Sequence, residues 1–131
     1  MNLDLAVAAI DLIGSPFRLH GRDRKSGLDC VGLVAAALEG CGRIAHAPRG
    51  YALRTMDPGP LLNFAEINGL TPVERDGDVV LVQIENIQPH LVVSVPGGFV
   101  HAHAGLRRVT FMPGNSPWPI LRQWALTDIE D

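Results

Sequence analysis

The apolar positions change period partway along the chain. Over residues 3–13, Leu3, Leu5, Ala6, Ala9, Ile10 and Ile13 recur near helical spacing and predict a first helix, stopped by Gly14-Ser15-Pro16. Residues 15–28 hold few large apolar groups and read as a loop. Asp29 is then a good N-cap for a second helix running through Val31, Leu33, Val34, Ala37 and Leu38, with Gly40 and Gly42 at its end. Residues 43–58 read as irregular, and residues 60–68 as a short helix with Pro60 near its start and Gly69 as its stop. After that the period falls to two. Residues 78–84, 90–95, 98–103 and 106–112 are rich in β-branched side chains and bounded by turn formers, so four strands are predicted. The tail from Trp118 to Leu126 fits strand or helix equally. Helices first and strands second predict an α+β fold with a mostly antiparallel sheet.

Pro96-Gly97 sharpens this into a register. If these two residues form the hairpin loop, Val95 faces Gly98 and His90 lies opposite His103, with His101 its diagonal neighbour. Side chains alternate along a strand, so the three histidines share one face. Leu91, Val93, Val95, Val100 and Ala102 share the other, which can pack on a core.

Composition removes several function classes. At 131 residues and 47% apolar content, the chain is expected to form one domain, 1–131, with a real core. Eleven basic against fourteen acidic side chains give a net charge of −3, which argues against a phosphate-binding, nucleic-acid protein. Aromatics at 5% are too few for a base-stacking platform. No uncharged apolar run approaches the roughly 18 residues of a membrane helix, so membrane insertion is not expected. The N-terminal stretch carries Asp4 and Asp11 in place of a positive leader, so the expectation is a protein without an export signal, cytoplasmic as synthesised. Two cysteines do not make a disulfide framework. With five histidines they leave a metal site or a catalytic thiol.

Cys30 falls in the first turn of a predicted helix, where free N–H groups and the helix dipole favour a thiolate. The competing reading is a small apolar residue packed beneath that helix. A nucleophilic thiol needs a base, and the hairpin offers His90, His101 and His103 on one face, of which one can take the thiol proton and a second orient it. Zinc is the weaker reading. Cys30 and Cys41 lie roughly 16 Å apart along a helix, and no paired-cysteine or His-Glu-x-x-His motif is present. Cys41 reads as a packed small residue, His20 and His46 as exposed loop residues, and Trp118 and Trp124 as core or tail packing.

Gly14-Ser15-Pro16-Phe17 followed by Gly27-Leu28-Asp29-Cys30-Val31-Gly32-Leu33-Val34 resembles the Gly-Thr-Pro-Tyr … Asp-Cys-Ser-Gly-Leu-Val signature of NlpC-type cell-wall peptidases. Gly77-Asp78-Val79-Val80, His90-Leu91-Val92-Val93 and Phe99-Val100-His101-Ala102 resemble that family's later segments, in order and approximate spacing. The likeness runs from about Leu5 to Phe111, most of the chain. It is greatest to compact members encoded in phage-tail and gene-transfer-agent clusters.

The resemblance implies a papain-like α+β fold, with Cys30 as nucleophile, His90 as general base and His101 as the orienting third residue. It implies hydrolysis of a peptidoglycan stem peptide between D-glutamate and a diamino acid, without metal or organic cofactor. It also implies tail or injection-machine proteins as partners and the periplasmic wall as the place of action. Phe17 stands where the family has a tyrosine, and Val31 where it has a serine. Phe17, Arg22, Arg24 and His103 are the candidate substrate-binding residues, since stem peptides carry carboxylates that arginine pairs bidentately. An ordinary solvated loop is the competing reading for the arginines. Two other readings of the whole chain remain: a tail-assembly subunit with weak or no activity, for which Phe17 speaks, and a thiol hydrolase or acyltransferase acting on another amide or ester.

Overall fold

The computed structural model describes residues 1–47, 58–84 and 88–127. Helix α1 spans Leu3–Asp11, two residues shorter than the apolar spacing predicts. The Asn2 side chain accepts the Leu5 N–H at 3.0 Å and caps its start. Leu5, Ala6 and Ala9 are buried, while Leu3, Val7 and Ile10 face outward. The small inward residues let α1 lie close against helix α2, Cys30–Gly40, which is buried along almost its whole length. Asp29 caps α2 by accepting the Gly32 N–H at 2.8 Å, as its position before an apolar run predicts. At the far end Gly42 takes a positive φ of 90°, and Arg43 N–H returns to Leu38 O at 3.0 Å.

The stretch expected to be loop contains a small ladder. Strands β1, Arg22–Asp23, and β2, Gly27–Leu28, pair antiparallel over two positions each. Backbones approach too closely here for side chains. A Cβ on Gly21 would sit 2.2 Å from Gly27 O, and one on Gly32 would sit 2.0 Å from Gly21 O. Glycine at 21 and 32 therefore seats this hairpin on the first turn of α2.

Helix α3, Gly59–Ile67, carries Pro60 in its first turn, and Gly69 follows it with a φ of 72°. Of the segment read as irregular, residues 48–57 lie outside the described residues. Strands β3 (Thr71–Pro72), β4 (Val79–Ile84), β5 (Gln88–Val95), β6 (Gly98–His103), β7 (Arg108–Pro113) and β8 (Ile120–Ala125) form one sheet. Their order is β3-β8-β4-β5-β6-β7, and every paired neighbour is antiparallel. The tail thus resolves to a strand, because β4 offers it a free edge.

The sheet is covered on one face by α1 and α2, the α+β arrangement that the order of elements predicts. Leu81, Leu91, Val93, Val95, Val100 and Ala102 join the helices in the main core. Val80, Val82, Val92 and Phe99 form a smaller cluster from the alternate positions, closed by Ile84, Met112 and Trp118. The β5–β6 pairs are Val95–Gly98, Ser94–Phe99 and Val93–Val100, the register that a two-residue loop at Pro96-Gly97 dictates.

Candidate active site

Cys30 is the first residue of α2, and His90 and His101 lie on β5 and β6. The Cys30 sulfur meets two backbone N–H groups, that of Val31 in its own helix and that of Leu91 on β5. Leu91 follows His90 directly, so the thiol contacts the strand at the residue next to the proposed base. Burial, and then the Asp29 carboxylate, push the Cys30 thiol up to about 12, while those N–H groups and the Arg22 guanidinium pull against the shift. The residue still keeps part of its surface open.

His90 Nε2 lies 3.2 Å from His101 Nδ1, a hydrogen bond between two buried rings packed edge to face. Burial, followed by the like charges of His101 and His103, holds His90 down at about 3. Burial, followed by His103, holds His101 at about 4. Near neutral pH both rings are therefore uncharged and the thiol is protonated. With Nε2 of His90 engaged, Nδ1 is the nitrogen left to receive a proton. For Nδ1 to be bare, Nε2 must carry the hydrogen and donate it to His101 Nδ1. His101 then carries its own hydrogen on Nε2, a buried atom without a hydrogen-bond partner among the described residues. The rings of Phe99, His103 and Trp118 surround it at centroid distances of 5.5, 5.2 and 5.6 Å.

The other candidates take distinct places. Phe17 is half-buried against the main core, and its backbone bridges to Leu28, two residues before Cys30. Arg22 turns its guanidinium onto Asp29 at 3.0 Å and Gly21 O at 2.8 Å. Arg24 bonds the Asp11 carboxylate at 2.8 Å on the surface. Both arginines thus have carboxylates of their own chain to pair with. His103 is half-buried, and its Nδ1 accepts the Leu106 N–H at 3.0 Å. His46 is exposed as expected, whereas His20 is half-buried with its N–H on Asp29 Oδ2 at 2.8 Å. Cys41 packs on the core and its Sγ reaches Leu38 O, in keeping with a packing role. Trp124 is core, as expected.

Trp118 is the site residue that the sequence hid. It reads as tail packing, yet its ring also meets His101. Nothing in local spacing signals this, because the contact depends on the tail returning beside β4.

No family model matches the sequence, and no curated protein matches it either. Solved structures do. The NlpC/p60 domain of the peptidoglycan hydrolase SagA superposes with a TM-score of 0.55 at 19% identity, covering 84% of this chain and 86% of that one. NlpC2 from Trichomonas vaginalis gives 0.64 at 17% identity, covering 95% of this chain and 49% of that one. The P60 domain of an antigen from M. avium subspecies paratuberculosis gives 0.58 at 17% identity, covering 93% and 90%. Helices on an antiparallel sheet, a cysteine opening the buried helix and matching solved structures together give this chain the papain-like α+β fold of NlpC/p60 domains.

Proposed function

We propose that the chain is a cell-wall hydrolase, a cysteine endopeptidase that cleaves peptidoglycan stem peptides between D-glutamate and a diamino acid. The observation that carries this reading is a helix-start thiol and a histidine pair set against one strand, β5. A half-open thiol at a helix start touches the strand beside His90, and His90 is hydrogen-bonded to His101 at 3.2 Å. One structural neighbour is named a peptidoglycan hydrolase, which supports the substrate class.

In the proposed reaction, His90 Nδ1 takes the Cys30 proton as the sulfur attacks the scissile carbonyl. Both groups begin neutral, so charge separates only as the bond forms. His101 holds the His90 ring and its hydrogen in place. The developing oxyanion is met by backbone N–H groups at the α2 start. His90 then gives the proton to the departing amine, and water, with His90 again as base, releases the acyl group from sulfur. Phe17 supplies ring packing beside the site, and His103 and the arginine-bearing hairpin flank it. The protein would act on the periplasmic wall, brought there by tail or injection-machine proteins.

The test is incubation of purified protein with muropeptides, beside a Cys30→Ala variant, with products identified by mass spectrometry. Stem cleavage by the wild type and none by the variant is expected. Intact muropeptides in both arms would favour the tail-subunit reading, for which the missing hydroxyl at Phe17 speaks.

A further inference from the structure

The β1–β2 hairpin does more than border the cysteine helix. Arg22 lies only 18% exposed on its side chain, and Asp29, its ion-pair partner, only 3%. The Asp29 carboxylate accepts from Arg22 Nη1 at 3.0 Å, from Gly32 N–H at 2.8 Å and from His20 N–H at 2.8 Å. Arg22 Nη1 also donates to Gly21 O, and a Cβ on Gly32 would come 3.3 Å from that same nitrogen. The guanidinium is therefore clamped against the first turn of α2. Asp29 precedes the proposed nucleophile in the chain, and a bare carboxylate there would oppose the sulfur anion that catalysis needs.

We propose that Arg22 is a positioning residue for Cys30: it neutralises the Asp29 carboxylate that caps the helix, so that the cap can be kept without repelling the thiolate. The proposal rests on the reading of Cys30 as nucleophile. The groups that set the local field are Asp29 at the helix start, Arg22 from β1 and, from the sheet, the neutral imidazoles of His90 and His101. The N–H groups of Val31 and Leu91 add to them. Asp29 and Arg22 act on the thiol in opposite directions, as the geometry requires. Arg22 thus spends its charge inside the protein, and its side chain is not available as a free clamp for substrate carboxylates.

The experiment is the pH dependence of Cys30 alkylation by iodoacetamide, with peptide-resolved mass spectrometry separating Cys30 from Cys41. Arg22→Gln is expected to move the Cys30 profile upward by about one pH unit, roughly a tenfold slower reaction at neutral pH. Arg22→Lys restores most of the loss, and Arg22→Gln with Asp29→Asn brings the profile back to the wild type or below. A merely structural role predicts the opposite sign, because a loosened hairpin exposes the thiol and lowers its profile toward an ordinary cysteine. An unchanged or lowered profile in a folded Arg22→Gln protein overturns the proposal. If Arg22→Gln does not fold, Asp29→Asn alone serves. It keeps a capping oxygen and is expected to lower the profile, and an unchanged or raised profile overturns the proposal. Stem cleavage that survives Cys30→Ala would remove the nucleophile reading instead, whatever the alkylation profiles show.

Discussion

At the scale of single residues, burial keeps the two site histidines neutral down to pH values at which they would be charged in solution. His90 and His101 are held at about 3 and about 4, against an ordinary 6.5, chiefly by burial. Unfolding returns both to the ordinary value. Between 6.5 and the folded values, the unfolded chain binds protons that the native chain refuses. The stability these rings contribute is therefore whole above about pH 6.5 and is lost as pH falls toward 4 and then 3. Each ring steepens the loss by up to about 1.4 kcal/mol per pH unit. Thermal unfolding followed from neutral pH to pH 5 should show a falling midpoint in the wild type. His101→Gln should flatten that fall by one ring's share. An equal slope in both would mean that His101 titrates in the native protein as an exposed histidine does.

The residue scale also shows what a chain can and cannot disclose. Asp29 was legible as a cap because capping is local, set by three residues of spacing. Arg22 was not. Its basic charge beside a candidate nucleophile suggests a substrate anion, but the carboxylate it meets is only seven positions along the chain. The resemblance singled out His101 over His103, and the structure gives His101 the hydrogen bond to His90. Hairpin geometry alone left the two equal, because ring direction depends on packing that alternation does not encode.

At the scale of elements, α2 is the part on which the site depends. Its first turn carries Cys30, its N-terminal N–H groups face the sulfur and Asp29, and the β1–β2 hairpin presses against it at Gly32. A Cβ at that position would be 2.0 Å from Gly21 O and 3.1 Å from Gly21 C, backbone atoms that cannot swing aside. Gly32→Ala is thus expected to destabilise the protein by about 2 kcal/mol, even though alanine is the better helix former. Chemical denaturation checks this, and an unchanged midpoint would show that the hairpin can shift at little cost. The elements themselves were largely legible. The four strands of the hairpin-rich half fall where period-two patterning puts them, and the β5–β6 register follows from one turn. The last strand was ambiguous because five of its six residues are partly or wholly exposed and lack clean alternation. β3 was missed because two residues carry no period at all. Helix α1 stops at Asp11, short of Ile13, because Leu12 N–H turns back to Ala9 O at 3.0 Å and Ile13 N–H to Ile10 O at 3.1 Å, three-residue returns that end the helical run.

At the scale of the whole molecule, both ends of the described chain are fastened to one buried side chain. Asp78 accepts the N–H of Asn2 at 2.6 Å and of Leu126 at 2.8 Å, and Asn2 Nδ2 donates to Leu126 O at 3.0 Å. That clasp ties α1 to the start of β4 and the end of β8. It holds the helical layer against the sheet, and so holds Cys30 of one layer beside Leu91 of the other. The catalytic reading depends on this closure between layers, since residues sixty positions apart have no local reason to meet.

The most direct measurement is capture of the covalent intermediate. Wild-type protein mixed with a D-glutamyl–diamino acid stem peptide and quenched in acid should carry a mass adduct equal to the acyl portion of the peptide. Digestion should locate that adduct on the peptide containing Cys30. Cys30→Ala should show neither adduct nor cleavage. Cleavage without any adduct on Cys30, or cleavage that persists in Cys30→Ala, would contradict the account.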